Sequence, residues 1–277
     1  MRLPRTAREA LRSCSAVERM GSSTAVSCHA VKLVVAHLYP DYLNIYADRG
    51  NIAVLERRAA WRGIGFDYRP IGLGDALPGD VDLLYVGGGQ DREQALIAPD
   101  LAARSAALAG ALEAGAALLA VCGGYQLLGR FYRDRSGSEL PGAGVLPLHT
   151  VAGSRRMIGD ILLDCELEEG EQRTIAGFEN HAGRTFLDPG AEPLGQVVYG
   201  FGNNGEDGYE GCRVGRAVGT YLHGPLLPRN PWLADWLLAQ ALARTVGEPP
   251  VLEPLADGLE NEAQAVAAGR AKARGGR

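Results

Sequence analysis

Cys122 is followed by two glycines and lies between the apolar run "AALLAV" and a helix-like run that begins at Tyr125. A thiol on a strand-to-helix turn of this kind stands at the C-terminal edge of a sheet, where open α/β sheets bind their ligands. The start of a helix favours negative charge, and so the thiolate that attacks electrophilic carbon. Backbone N–H groups just after the turn can face a developing oxyanion, and Gly123 and Gly124 allow the strained backbone such a turn demands. Taken alone, Cys-Gly-Gly reads better as a buried cysteine at a strand end, with glycines for tight packing. Two further features reverse that reading. "VGGG" ends a second strand-like run at Gly87–Gly89, where its backbone could supply another oxyanion donor, and "GTYLHGP" puts His223 after a third, as a general base. Together they make a nucleophilic site.

The elements that must position these residues follow from the apolar pattern. "VKLVVAHL" is a β-branched run suited to a buried strand. Asn51–Trp61 carries Ile52, Leu55 and Ala59 on one helical face, "FDYRPIGL" and "VDLLYVGGG" read as strands, and an Ala/Leu-rich helix covers Leu101–Ala114. "AALLAVCGGYQLLGRFY" then reads as strand, sharp turn and helix. Strands separated by helices of this length imply right-handed crossovers and a mostly parallel sheet flanked by helices. The second half is richer in strand and turn signals: "GDILLDC", "TIAGFENHAGRT", "GQVVYGFGNNGEDGYEG" and "RAVGTYLHG". "GFGNNGEDG" reads as a tight turn with Gly and Asn at positive φ. Asn230 suits the N-cap and Pro231 the first position of a closing helix over Pro231–Ala243. A second helix is expected over Glu260–Arg274, before a solvated "GGR" end. The expected organisation is an extension over 1–30, a catalytic domain over 31–245 and a partly helical tail over 246–277.

Bulk properties narrow the function classes. A chain of 277 residues with 46% hydrophobic content can bury a full core. A formal net charge of −5 gives no electrostatic reason to expect nucleic acid or an anionic membrane as partner. No apolar run approaches the roughly 20 residues a membrane helix needs. Five cysteines (Cys14, Cys28, Cys122, Cys165 and Cys212) show neither zinc nor disulfide spacing, which fits a reducing cytoplasm. The first thirty residues are basic and rich in Ser and Ala, without the apolar stretch of a secretory signal. They are expected to be a disordered extension or the product of a misplaced start.

The same motifs carry a resemblance. "GGG" before a helix, "CGGYQLLG" at the turn and "GTYLHGP" near the end are similar to triad-type glutamine amidotransferases of the cobyric-acid-synthase-like group. "YLNIYADRGNIAVLERRA", "GGGQDREQAL", "GFENHAGRT", "GFGNNGEDGYEG" and "GTYLHGPLLPRNPWLADWLL" resemble, in the same order, the amidotransferase subunits of lipid II isoglutaminyl synthases. The likeness runs from about Val31 to Leu242. It implies a class I glutamine amidotransferase-like, flavodoxin-like three-layer α/β fold.

The resemblance also implies roles. Cys122 attacks the side-chain amide of glutamine, and His223 relays the proton to departing ammonia. Gln126 matches a position that holds the substrate, and Arg156 in "RRMIGD" matches a basic residue suited to its carboxylate. Gly88 and Gly123 are the choices for the oxyanion hole, the former within a one-residue margin across Gly87–Gly89. Most triad amidotransferases carry a Glu two residues after the histidine; here the sequence is His223-Gly224-Pro225. In the isoglutaminyl synthase family an aspartate of the partner ligase is thought to complete the triad, and Glu179 is a rival within the chain. Glu179 and His181 in "GFENHAGRT" do not make a metal site and are expected to shape the cleft through hydrogen bonds. No metal is expected here.

The function implied is glutamine hydrolysis that supplies ammonia to a Mur-ligase-like subunit in a heterodimer. That partner binds ATP and Mg and amidates the α-carboxylate of D-glutamate in lipid II, giving D-isoglutamine for peptidoglycan. This chain has no "GxxxxGK[ST]" loop and so no expected ATP site or other cofactor. Two alternatives stand beside it: an amidotransferase of the same fold with a cobyrinate-like acceptor, and a non-catalytic scaffold. The first lacks a fused synthetase domain, and the second needs neither thiol nor imidazole.

Overall fold

The computed structural model describes residues 31–45, 49–223 and 225–274. The extension over 1–30, the "YAD" of one motif, Gly224 and the "GGR" end lie outside the described residues. Strand β1 (Lys32–Leu38) is the predicted β-branched run, and all but its first residue are buried. Helix α1 (Arg49–Ala60) buries Asn51, Ile52, Leu55, Arg58 and Ala59, the one-sided spacing read from the sequence. Strands β2 (Gly65–Ile71) and β3 (Leu83–Val86) follow, the latter wholly buried.

The next helical stretch differs from the prediction of one helix over Leu101–Ala114. Helix α2 (Asp91–Ala103) starts ten residues earlier and runs through Pro99. Helix α3 (Ser105–Glu113) continues at 66° to it. The break falls at Arg104, whose guanidinium reaches Asp100 Oδ2 at 2.7 Å, Gly72 O at 2.9 Å and the Asp75 carbonyl. Tethering this arginine to the 72–75 loop turns the chain where apolar periodicity alone would carry the helix on. No single helix among the described residues is long and apolar enough to cross a membrane.

Strand β4 (Ala117–Val121) is fully buried and leads through Cys122 into the short helix α4 (Gly123–Leu127). Strands β5 (Phe131–Arg133) and β6 (Glu139–Pro141) pair antiparallel. The chain then builds a long hairpin from β7 (Leu148–Glu166) and β8 (Gln172–Leu187). Strands β9 (Gly195–Tyr199), β10 (Tyr209–Glu210), β11 (Cys212–Val214), β12 (Ala217–Thr220) and β13 (Leu222–His223) complete the β-structure. The last helices are α5 (Leu226–Arg229), α6 (Pro231–Val246) and α7 (Gly258–Arg274).

The strands form two sheets. The first has the order β11-β12-β4-β3-β1-β2, parallel throughout except for β11 at one edge. This is the mostly parallel sheet the sequence predicts. The second, largely antiparallel, runs β10-β9-β7-β5-β6, with β8 pairing β7 and β13. Chain passes between the sheets at Tyr221, which separates β12 in the first from β13 against β8 in the second.

Two local expectations are corrected. Helix α6 starts at Pro231 as expected, but the Asn230 side chain does not cap it. Its Nδ2 donates to Ala176 O and Leu226 O, and its Oδ1 accepts from Ala176 N, so it ties α5 to β8 instead. In "GFGNNGEDG" the positive φ values belong to glycines alone. Asn203 and Asn204 act through their side chains: Asn203 Oδ1 accepts from Tyr125 Oη and Gly211 N, and Asn204 Oδ1 accepts from Glu206 N and Asp207 N.

Arg58 of α1 anchors α6 and the segment that follows it. Its buried guanidinium donates to both oxygens of Asp235 and both of Asp257, at 2.6–2.9 Å. Removing one side of a buried charge pair leaves the other uncompensated, at a cost of about 3 kcal/mol. We expect Arg58→Ala to lower unfolding free energy by about that amount in urea titration. A loss under about 1 kcal/mol would show the cluster to be an ordinary surface pair.

Candidate active site

Cys122 adopts φ 49° and ψ −104°, a conformation that L-residues avoid. Holding it costs on the order of 1–3 kcal/mol. Three contacts impose it. The Cys122 N–H donates to Thr220 O at 2.8 Å, its carbonyl accepts from Gln126 N at 2.9 Å, and Gly124 N donates to Gly87 O at 3.1 Å. The turn is therefore locked to β12 on one side and to the Gly87–Gly89 turn on the other.

The two glycines after Cys122 act otherwise than expected, because neither has positive φ; the strain sits on the cysteine itself. Close approach requires them. A Cβ on Gly123 would lie 2.9 Å from Gly89 N and 2.7 Å from Gln94 Nε2. One on Gly124 would lie 2.8 Å from both Gly87 O and Val86 O. Since Gly124 N is spent on Gly87 O, Gly123 is the post-nucleophile amide adjoining the second glycine turn. There the carbonyls of Gly87, Gly88 and Gly89 accept from Gly124 N, Ile45 N and Gln94 Nε2, which fixes the peptide planes.

His223 leaves the strand next to that of Cys122. Thr220 pairs with Val121 in parallel register, so Cys122 and His223 both emerge beyond the C-terminal ends of adjacent strands β4 and β12. His223 is buried and pairs with Phe178 of β8. Glu179 pairs with Leu222 in the same antiparallel register, and neighbours along a strand point to opposite faces. The Glu179 carboxylate instead accepts from Phe201 N at 2.7 Å and Gly202 N at 3.0 Å. As a rival for orienting His223, Glu179 is thus set on the wrong face and already engaged.

His181 and Gln126 enter one buried network through Tyr221. The Tyr221 and His181 rings stack at 3.5 Å and 6°, while His181 Nδ1 lies 2.9 Å from Gly183 O. Gln126 Nε2 donates to Tyr221 Oη at 3.1 Å, which also meets Thr185 Oγ1 at 2.6 Å, and Thr185 meets Thr150 at 2.7 Å. Burial lowers the His181 pKa against the opposing pull of Glu179, and burial raises that of Tyr221. Among the described residues no group of three or more His, Cys, Asp or Glu is gathered as for a metal. Arg156 is exposed on β7, its Nη1 3.0 Å from Asn180 Oδ1. Asn180 lies two residues beyond Phe178, on the face of β8 to which His223 turns.

Residues that sequence reasoning did not single out surround this core. Tyr221 sits inside "GTYLHGP", yet nothing in its spacing announces the stack on His181. Glu210, in "GYEG", is fully buried with Oε1 2.6 Å from Tyr221 N and Oε2 3.0 Å from Thr220 Oγ1. No sequence signal marks it, since its partners are ten and eleven residues away on another sheet.

Burial pushes the Glu210 carboxyl up to about 8 from its usual 4.5, with the bonds from Tyr221 N and Thr220 Oγ1 opposing and Glu179 adding to the rise. The unfolded chain ionises first as pH rises. The contribution of neutral Glu210 is therefore full below about pH 4.5 and lost progressively up to about pH 8. Glu210→Gln removes this ionisation, so the stability of the wild type relative to the variant should fall between pH 5 and 8 in urea titrations. A difference that stays flat across that window would mean the folded carboxyl is not held neutral.

Comparison with known proteins agrees with this geometry. The CobB/CobQ-like glutamine amidotransferase domain matches residues 34–231. The lipid II isoglutaminyl synthase (glutamine-hydrolyzing) subunit GatD of Staphylococcus aureus is 42% identical over 214 residues, covering 77% of this chain and 86% of that protein. The subunit of the same name from Streptococcus pneumoniae is 40% identical over 233 residues, covering 83% of this chain and 88% of its own. Among solved structures, PurLQS from Thermotoga maritima shares the fold with a TM-score of 0.54 at 18% identity, covering 78% of this chain and 98% of that one. The chain belongs to the CobB/CobQ-like glutamine amidotransferase family, among relatives that are GatD subunits.

Proposed function

We propose that this chain hydrolyses glutamine at Cys122 and passes the ammonia to a Mur-ligase-like partner that amidates the D-glutamate α-carboxylate of lipid II. The observation that carries the chemistry is the strained Cys122 turn beside the strand from which His223 emerges. The acceptor rests on the 40–42% identity to proteins named as GatD subunits of lipid II isoglutaminyl synthase.

The steps follow from the positions. The Cys122 thiol gives its proton to His223 as Sγ attacks Cδ of the glutamine side chain, and the carbonyl oxygen becomes an oxyanion facing the Gly123 N–H and an N–H of the Gly87–Gly89 turn. His223 delivers a proton to the amide nitrogen, the C–N bond breaks and ammonia leaves, with a γ-glutamyl thioester remaining on Cys122. Water then loses a proton to His223 and attacks the thioester carbon, releasing glutamate and restoring the thiol. Arg156 binds the substrate carboxylate from the rim. Gln126 supports the floor through Tyr221. ATP and Mg belong to the partner, where the acceptor carboxylate is activated.

His223 lacks a following carboxylate, and Glu179 faces away from it. By likeness to the isoglutaminyl synthase subunits, in which an aspartate of the partner ligase is thought to complete the triad, a carboxylate from the partner orients the imidazole, which ties ammonia release to its use. The isolated chain should release ammonia from glutamine slowly, and the complex with its partner at least tenfold faster. Cys122→Ala should abolish the rate in both. Equal rates for chain and complex would exclude the shared triad, and a Cys122→Ala complex that still produces glutamate would exclude the nucleophile.

A further inference from the structure

Glu210 is a buried carboxyl with no place in the thioester chemistry. Its Oε1 accepts from Tyr221 N at 2.6 Å and its Oε2 from the Thr220 hydroxyl at 3.0 Å. Thr220 Oγ1 in turn accepts from Leu222 N at 3.1 Å. One side chain on β10 thus fixes three consecutive residues, 220–222, directly before His223. The same Thr220 offers its carbonyl to Cys122 N at 2.8 Å. Nucleophile and base therefore share a single backbone node, and Glu210 holds it.

The location explains why a side chain is needed there. Up to Thr220 the chain is in the first sheet, and from Leu222 it pairs with β8 in the second. A switch between sheets leaves Tyr221 N without a ladder partner, and an unpaired buried donor costs about 1–3 kcal/mol. A main-chain turn could satisfy that donor more cheaply than a buried carboxyl, whose desolvation is itself expensive. What the carboxyl adds is a second, divergent bond that sets the direction in which the chain leaves the node.

We infer that Glu210 is a positioning residue: by clamping Thr220 and Tyr221 it sets the approach of His223 to Cys122. The inference rests on the glutaminase reading of the site. A positioning role predicts loss of turnover with substrate binding intact. A role confined to stability predicts loss of folded protein with normal kinetics in what remains.

The test uses the complex with the Mur-ligase-like partner and three variants: Glu210→Ala, Glu210→Gln and Thr220→Val. Glutamine supports a kcat at least tenfold lower in Glu210→Ala and Thr220→Val, with KM within twofold of wild type. Glu210→Gln, which keeps an acceptor for Tyr221 N and a polar contact to Thr220, recovers kcat to within threefold. Thr220→Val decides the matter where Glu210→Ala does not fold. Wild-type kcat in either folded variant, a loss confined to KM, or a Glu210→Gln as impaired as Glu210→Ala overturns the proposal. A second readout, alkylation of Cys122 by iodoacetamide against pH in the full chain, is independent of glutamine. There Glu210→Ala should move the profile towards that of His223→Ala, and an unmoved profile overturns the proposal too. A wild-type complex that releases no ammonia while the alkylation profile still shifts would instead count against the glutaminase reading alone.

Discussion

The close approach of two glycine turns governs the geometry of the site. Gly123 and Gly124 lie so near Val86–Gly89 that any side chain would collide with main chain, and this contact forces the reversal at Cys122 into positive φ. The strain, on the order of 1–3 kcal/mol, is sustained because β4 is buried on both faces between β3 and β12. The thiol is therefore aimed by the main chain, with hydrogen bonds to Thr220 and Gln126 leaving the turn little freedom.

The proposed base is mounted differently. His223 follows a strand of the first sheet but is held against β8 of the second, and Arg156 reaches the same strand from β7. Cys122 and the two glycine turns belong to the parallel sheet, whereas His223 and Arg156 are held against the antiparallel one. Tyr221 is the joint, stacked on His181 and bonded to Gln126 and Thr185. A buried polar network is a costly choice for a core, but it fixes one arrangement where an apolar contact would tolerate several. Glu210 and Asn203 extend the network beneath the joint: Glu210 meets the backbone at the sheet switch, and Asn203 meets both the N–H and the carbonyl of Gly211, between β10 and β11.

The sequence by itself determined the parallel sheet, the strand-to-helix turn at Cys122, the second glycine turn and the placement of His223 at a strand end. Local rules suffice for these: β-branched runs, glycine positions and the order of elements act over a few residues. Where the local pattern was incomplete, the reading slipped. The helix over Leu101–Ala114 became two because Arg104 is tethered to a loop about thirty residues upstream, and the Asn230 side chain leaves its helix uncapped because it is taken up by the backbone of Ala176 in β8 and of Leu226.

Only the tertiary structure decided which face Glu179 occupies, that Gln126 points into the Tyr221 network, and that Glu210 lies beneath the nucleophile–base node. Each depends on antiparallel register or on contact between sheets, and a shift of one residue in register sends a side chain to the opposite face. Hydrophobic periodicity reports which residues are buried but not which strand they meet. A buried carboxyl such as Glu210 is the extreme case: its sequence neighbours resemble an exposed turn, and its chemistry is set by burial and by bonds from Thr220 and Tyr221, ten and eleven positions away.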